Sequence, residues 1–481
     1  MPITVLGGTK VAATTFSVAN SCRFNDDDSA KLAITPGSAG NRRTWTISAW
    51  VKKTRNDGAN LLCFFGSRVD GSDNVHFGFN GDQLELKIEI SDTVTRLKTN
   101  RKFLDPSAWY HIVAAVDTEQ STASNRVKFY VNGVQESSFA TEQYPAEDGD
   151  TSTNNTCAHT IGDSGAGSHH IDCYLAEVCL IDGSQLAPTS FGEFDEDSPT
   201  IWKPIKVTGL TFGTNGFYLD FEASGTLGND ANGGTDLTAT NLTATDQCQD
   251  SPTNNFCTMN PLDNVSQNAT FSQGNTVIYT DGGAKYSFNT STFFLTKGKW
   301  YFEVKVVAGN NSGNSYVIGI SDEVNFGTGS AQELGHEATQ WAYYGLGHIR
   351  TGNANTATSD YNTYTDGDII SVYLDLDNAK LYFAKNGTIE NSTGVSITAP
   401  SSLVSGGYFL CSGYFDGDAS SNAAYFYHNF GNGDYNATAV SSSNADDDGF
   451  GLFEYDPTSG TFDGAIKKFY ALCTKNLATY G

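Results

Sequence analysis

Carboxylates at alternate positions of one strand share a face, the arrangement from which a general acid and a general base can work on a glycosidic bond. The run LELKIEI (84–90) offers Glu85 and Glu89 with Lys87 between them. A lysine in that position pairs with its acidic neighbours, so an ordinary charged face is expected and no catalytic residue is assigned. Gly162-Asp163-Ser164-Gly165, close after Cys157-Ala158-His159, supplies the residue types of a nucleophilic serine relay. Such a relay needs the histidine and an orienting acid within hydrogen-bond reach of the serine, and here the glycines and serine are better read as a turn. His169 and His170 are adjacent, so in a strand they point to opposite faces and do not share a zinc ion. Three acidic loops, Asp26-Asp27-Asp28, Asn229 to Asp236 and Asp446-Asp447-Asp448, carry the oxygen donors that Ca²⁺ prefers without the full grammar of a calcium loop. Calcium is the one cofactor left open. Trp341, Tyr343 and Tyr344, followed by the glycine-rich YGLGHIRTGN, are the candidate ligand-binding residues, because exposed aromatics offer large contact area at low entropic cost. The competing reading places them in a core.

The elements that must position these residues are strands. At 481 residues the chain is long enough for more than one core. With 50 Gly, 30 Phe, 23 Tyr and only 17% charged residues, the vocabulary is that of turns and pleated, half-buried surfaces. Helical periodicity is nearly absent, and two-residue alternation dominates. WTISAWV (45–51), LELKIEI, WYHIVAAVD (109–117) and VKFYVNG (127–133) read as strands, with Asn132-Gly133 as a tight hairpin turn; HIDCYLAEVCLIDG (170–183) reads as a strand pair. Alternation fades over residues 200–262, which are expected to be a Gly/Asn/Thr-rich connector anchored by Phe217, Tyr218, Leu219 and Phe221. It returns in KWYFEVKVV (299–307), SYVIGIS (315–321), DIISVYLDLD (368–377), KLYFAKNG (380–387), GYFLCSGYF (407–415) and AAYFYHNFG (423–431). The same device closes a hairpin in both halves, an apolar strand ending in Asp and then a strand ending in Asn-Gly. The expected fold class is all-β, with two sandwiches over 20–199 and 263–481, the latter including a C-terminal tail, and an N-terminal arm over 1–19. In that arm Ile3, Val5, Leu6 and Val11 either dock on another subunit, fray, or add an edge strand.

A net charge of −26 repels phosphate backbones and anionic membranes, and no basic stripe reverses it locally, so nucleic acid is not an expected partner. No run approaches the ~20 apolar residues that span a bilayer, and residues 1–20 lack the pattern of a secretory signal, so neither membrane insertion nor export by a cleavable signal is expected. Nine scattered cysteines without a CxxC pair suit small core residues better than a disulfide framework or a zinc ribbon.

On TISAWVK, WYHIVAAVD, VKFYVNG and YLAEVCLIDG the first half resembles the concanavalin A-like lectin/glucanase group in its laminin-G or pentraxin-like branch. On GKWYFEV, VIGIS, GDIISVYLDLDNAKLYFAKNG and HNFG the second half resembles a SPRY domain. Both resemblances imply jelly-roll sandwiches that recognise glycans or protein loops. The glucanases of the first group carry an Asp at the centre of their catalytic strand, where this chain has Lys87. The tail FYALCTKNL (469–477) and the phrase DSPTNNFCTMNPL (250–262) resemble particle or appendage proteins of tailed bacteriophages, especially marine ones. The combined expectation is a non-enzymatic virion protein, a tail fibre, spike or capsid-surface component. It would be assembled in the host cytoplasm, form a homotrimer as phage appendages commonly do, and bind other virion proteins and a host-surface glycan or protein. The alternatives are a polysaccharide depolymerase on the lectin-like fold and a SPRY-type protein-binding adaptor.

Overall fold

A computed structural model of the chain describes residues 5–6, 16–56, 58, 61–264, 269–280, 286–309, 315–324, 333–357, 360–415 and 423–481. The chain forms two compact units, one of residues 12–253 and the other of residues 1–11 together with 254–481.

In the unit 12–253 two antiparallel sheets face each other. The first runs Val134–Gln135, Val127–Val131, Trp109–Asp117, Thr44–Lys53, Cys173–Asp182, Ser21–Phe24 and Gln247–Cys248, with Phe217–Leu219 also paired to Cys173–Asp182. The second runs Phe139–Glu142, Thr93–Lys102, Gln83–Ile90, Asn74–Asn80, Leu61–Arg68, Ala158–Ile161, Lys31–Ile34 and Thr238–Thr240. Alternation sends Trp45, Ile47, Ala49 and Val51 into the space between the sheets, where they meet Phe77, Phe79, Leu84, Leu86 and Ile88. Asn132 and Gly133 both adopt positive φ, 48° and 77°, which sets the hairpin after VKFYV as its sequence requires. The run expected as a strand pair at 170–183 is instead one strand, Cys173–Asp182. Its register shifts between Ala176 and Cys179, where Glu177 turns to φ 51°, so a bulge replaces the expected turn.

Residues 200–253 differ from a connector: Trp202–Pro204, Phe217–Leu219, Thr238–Thr240 and Gln247–Cys248 are strands, three of them added to the two sheets. Phe217, Leu219 and Phe221 join the main core. Phe191 and Phe212 cover Val113, Cys179 and Ile181 on the back of the first sheet, and Trp202 covers Trp50 and Ala176 there. Behind that sheet His111 is enclosed at 1% exposure, with Ser48 Oγ 2.9 Å from its Nε2 and Trp202 Nε1 donating to its Nδ1 at 3.0 Å.

The second unit has the same two-layer plan. One sheet runs Val5–Leu6, Tyr286–Leu295, Tyr408–Phe415, Tyr316–Ser321, Trp341–Tyr344, His348–Thr351 and Ala354–Thr356. The first of these pairs in parallel with Tyr286–Leu295, so within the expected arm Val5 and Leu6 form an edge strand; Ile3 and Val11 lie outside the described residues. The other sheet runs Ala269–Ser272, Val277–Thr280, Ala424–Asn429, Lys299–Ala308, Ile369–Asp375, Lys380–Lys385 and Thr388–Ile389, with Val395–Ser396 and Tyr470–Ala471 paired at its side. The C-terminal segment returns over the outer face of this sheet, where Phe453, Phe462 and Phe469 pack on Tyr301, Tyr373 and Tyr382. Beneath it Glu303, fully buried, accepts hydrogen bonds from Tyr301 Oη (2.6 Å), Tyr435 Oη (2.6 Å), Asn429 Nδ2 (3.0 Å) and the backbone N–H groups of Glu454 (3.0 Å) and Tyr455 (2.8 Å).

All nine cysteines are buried thiols outside any disulfide, and burial raises the Cys22, Cys173, Cys179 and Cys411 thiols well above their ordinary range. Thiolate is the reactive form, so the native chain is expected to leave all nine unlabelled by a maleimide, and the urea-unfolded chain to label all nine, as counted by intact mass.

Candidate functional site

The back of the first sheet in the unit 12–253 is covered by its own chain through apolar contacts, whereas the outer face of the second sheet carries a cluster of polar side chains on the strands Asn74–Asn80 and Gln83–Ile90. Val75, Phe77 and Phe79 point inward, so Asn74, His76 and Asn80 point outward; on the next strand Leu84, Leu86 and Ile88 point inward and Glu85, Lys87 and Glu89 outward. Register places Arg96, Lys87, His76 and Gly66 in one row across four strands. Gly66 has a reason to be glycine: a Cβ there would lie 2.5 Å from Ser164 C and 2.8 Å from Asp163 O, because the loop after Ile161 lies directly on it. That loop brings the His169 ring to 6.1 Å from His76 and walls one side of the row.

His76 is 7% exposed, and neither ring nitrogen has a hydrogen-bond partner. Burial, followed by the Lys87 ammonium, His169 and Arg68, pushes its pKa down to about 4, so at neutral pH the imidazole carries one N–H donor and one bare acceptor nitrogen. An unmet buried donor or acceptor costs roughly 1–3 kcal/mol, so the position calls for a polar partner. Beside it Lys87 Nζ lies 2.6 Å from Glu89 Oε2 and 3.0 Å from Asn74 Oδ1, and Asn74 Nδ2 donates to the same Glu89 oxygen at 3.0 Å. The hydrogen bond from Lys87 holds the Glu89 carboxyl below its usual range. Glu85 accepts from Asn80 Nδ2 at 3.1 Å and lies 3.6 Å from Arg96 Nε. Glu85 and Glu89 are therefore each tied to a cation, and four residues of strand set their backbones ~13 Å apart. A retaining glycosidase needs its carboxyl groups roughly 5 Å apart with one of them protonated.

Ser164 and His169 do come together, His169 Nδ1 being 3.3 Å from Ser164 Oγ. The serine hydroxyl, however, donates to the Ser168 carbonyl at 2.8 Å. Asp163 accepts from the Gly165 N–H at 2.6 Å and pairs with Lys31 at 3.2 Å, and so does not orient the histidine. His159 is used up elsewhere: its Nδ1 is 2.9 Å from the Cys157 carbonyl, and its Nε2 accepts from the Asn154 N–H at 2.8 Å. His169 and His170 lie in the loop before Cys173, not in a strand as expected, and among the described residues no group of three or more His, Cys, Asp or Glu converges to hold a metal.

In each of the three acidic loops that left Ca²⁺ open, a carboxylate is engaged by the chain's own groups. Asp26 pairs with Arg55. Asp230 accepts from the N–H groups of Tyr218 (2.8 Å), Asn232 (3.0 Å) and Gly234 (3.0 Å). Asp446 accepts from the N–H groups of Asp448, Phe450 and Ala471 and from Asn476 Nδ2. These are turn and docking devices. The candidate residues Trp341, Tyr343 and Tyr344 also need correction, since they are 6%, 0% and 6% exposed. Trp341 and Tyr343 belong to the main core of their unit, and Tyr344 is enclosed on the opposite face with Val317 and Phe409. Alternation sends the pair 341/343 and residue 344 to opposite sides, and both sides are covered, so none of the three offers a ring to a ligand. His76, which the sequence reading passes over, is as enclosed as these rings at 7% exposure, but both of its buried ring nitrogens lack a partner; its only mark in the sequence is a histidine set between Val75 and Phe77.

Residues 25–185 match the model of the concanavalin A-like lectin/glucanases superfamily of laminin G type, and residues 299–405 match that of the SPRY domain. No curated protein matches the chain. Among solved structures, it is similar to the SPRY domain of human HERC1, with 15% identity over 33% of this chain and 91% of that one, at a TM-score of 0.26. It is also similar to domain 4 of AbnA, a GH43 extracellular arabinanase from Geobacillus stearothermophilus, with 19% identity, coverage of 33% and 68%, and a TM-score of 0.25. A third similar structure is the heptameric SAP-like pentraxin from Limulus polyphemus, with 14% identity, coverage of 36% and 80%, and a TM-score of 0.27. The chain thus carries a concanavalin A-like laminin G domain followed by a SPRY domain.

Proposed function

We propose that this chain is a recognition protein of a tailed-bacteriophage particle, a fibre, spike or capsid-surface component. Its laminin G domain binds a hydroxylated ligand, a host-surface glycan, on the outer face of its second sheet, and the chain makes or breaks no covalent bond. The observation that carries the binding reading is the orphaned His76 between Lys87 and the loop on Gly66. A sugar hydroxyl both donates and accepts, which is what a neutral imidazole with two unmet nitrogens asks for. The absence of catalysis is supported by the fixed pairing of Glu85 and Glu89 and by the commitment of the Ser164 proton to Ser168. The particle role is supported by the resemblance of residues 250–262 and 469–477 to phage particle proteins, and the same resemblance suggests a homotrimer whose other partners are neighbouring virion proteins.

Two experiments test this reading. In a glycan array probed with the full chain, His76→Phe, which keeps a ring and removes both nitrogens, is expected to weaken the bound signal about tenfold, the loss of roughly one good hydrogen bond. Equal binding by the variant contradicts the site. Peptide mass spectrometry of purified particles is expected to find the chain in fixed stoichiometry with the other coat or tail proteins; finding it only in the unassembled host fraction contradicts the particle role.

A further inference from the structure

The SPRY unit has a cleft of about 380 Å³ that the domain match does not contain whole, because one wall is built from residues beyond 405. On the sheet side stand Lys299, at the start of its strand, and Asp377, in the turn between Ile369–Asp375 and Lys380–Lys385. On the other side stand Ile466, Lys468, Tyr470 and Tyr480. Tyr470 is fixed by parallel pairing with Trp300, and its ring stacks on Tyr480 at 3.8 Å between centroids. Ile466 is 69% exposed, far more than an isoleucine with a covering neighbour would be.

Three lysines here face four aspartates. Lys299 lies 2.7 Å from Asp377, Lys467 lies 3.1 Å from Asp463 and 3.2 Å from Asp375, and Lys468 lies 2.7 Å from Asp447. No surplus positive field is left to select an anion. Valence is left over on both kinds of group. An ammonium has three donors, and Lys468 gives one to Asp447; a carboxylate has about four acceptor positions, and Asp377 fills two, with the Gly298 N–H at 2.9 Å and Lys299. Donors and acceptors beside an aromatic pair and an exposed aliphatic side chain match one ligand chemistry. A sugar ring offers hydroxyls, which both donate and accept, and an apolar C–H face.

We propose that this cleft is a second saccharide site, for an uncharged pyranose, built by the C-terminal segment against the SPRY sheet. It stands independently of the His76 face, and its test separates the two. Saturation-transfer NMR of the full chain is run with the methyl glycosides of glucose, galactose, mannose and N-acetylglucosamine. In the His76→Phe background, which removes the other proposed site, at least one is expected to bind saturably, with affinity falling about tenfold when Asp377→Asn or Tyr480→Ala is added. Lys468→Ala, at a half-exposed position, provides a variant whose fold is not at stake and is expected to weaken binding several-fold. The proposal is overturned if none of the four glycosides binds saturably, if Asp377→Asn and Lys468→Ala bind as the parent does, or if inorganic phosphate displaces the sugar at lower concentration than the sugar itself requires.

Discussion

Glu303→Ala is expected to destabilise the SPRY unit by about 3–5 kcal/mol, because it takes the acceptor from five neutral donors and each donor left buried and unmet costs roughly 1–3 kcal/mol. The five donors that converge on this carboxylate come from its own strand, from the strand Ala424–Asn429 and from residues 435–455. Burial raises its pKa, while the hydrogen bonds from Tyr301 and Tyr435 and the two backbone N–H groups work against that rise. Truncation leaves those donors inside a dry layer where Phe453 and Phe462 seal the sheet. Glu303→Gln keeps the volume and one acceptor oxygen, so its cost is expected to be about half. Urea unfolding of the full chain, followed by tyrosine and tryptophan fluorescence, checks both. An alanine variant that unfolds at the parent's midpoint would mean that the C-terminal segment is held by its aromatic contacts alone.

His111→Gln is expected to be less stable than the parent at pH 8 by about 1–3 kcal/mol and to draw level with it by about pH 4.5. Burial pushes the His111 imidazole down to about 3, and Trp202 Nε1–H occupies its Nδ1, so the folded chain holds it neutral, with Nε2–H facing Ser48. An unfolded histidine takes up its proton near pH 6.5. Between about pH 6.5 and 3 the unfolded parent therefore binds a proton at this position that the folded parent refuses. The contribution of His111 is complete above that window and is lost as pH falls, by about 1.4 kcal/mol per pH unit. Glutamine takes up no proton, so the variant escapes this loss and the gap between the two proteins closes. A gap that stays constant from pH 8 to pH 4.5 would mean that His111 titrates normally in the folded state. Other buried groups change the absolute pH profile: burial pushes Glu177 up to about 7 and His428 down to about 4, but both are common to parent and variant and cancel in the difference.

The strands were legible wherever alternation was long. WTISAWV and VKFYVNG declare both their inward residues and the turn that follows, because side chains two apart face the same layer and Asn-Gly accepts positive φ. Residues 200–253 were not legible, since strands of two or three residues carry no period. Phe217–Leu219 pairs with Cys173–Asp182 on one side, and the Asp230 carboxylate accepts from the Tyr218 N–H. The aromatic cluster at 341–344 was misplaced for another reason. Trp, Tyr and Tyr look alike in a core and on a binding surface, and what decides between them is the pairing with Tyr316–Ser321 and the packing of residues remote in the chain. The pairing of Lys87 with Glu89 follows directly from spacing on one strand, and the structure has it. His76 needed three facts no single segment contains: the cross-strand register to Lys87, the glycine at 66 and the loop that lies on it.

The claim on which the functional reading turns is that the unmet nitrogens of His76 meet a glycan. The imidazole signals of ¹⁵N-histidine-labelled full chain, followed by NMR while the strongest glycan from the array is added, report on those nitrogens directly. A saturable shift of both His76 ring nitrogens is expected, at the same concentration that saturates binding, with the buried His111 and His428 unmoved. Saturated binding that leaves the His76 resonances where they were would contradict it.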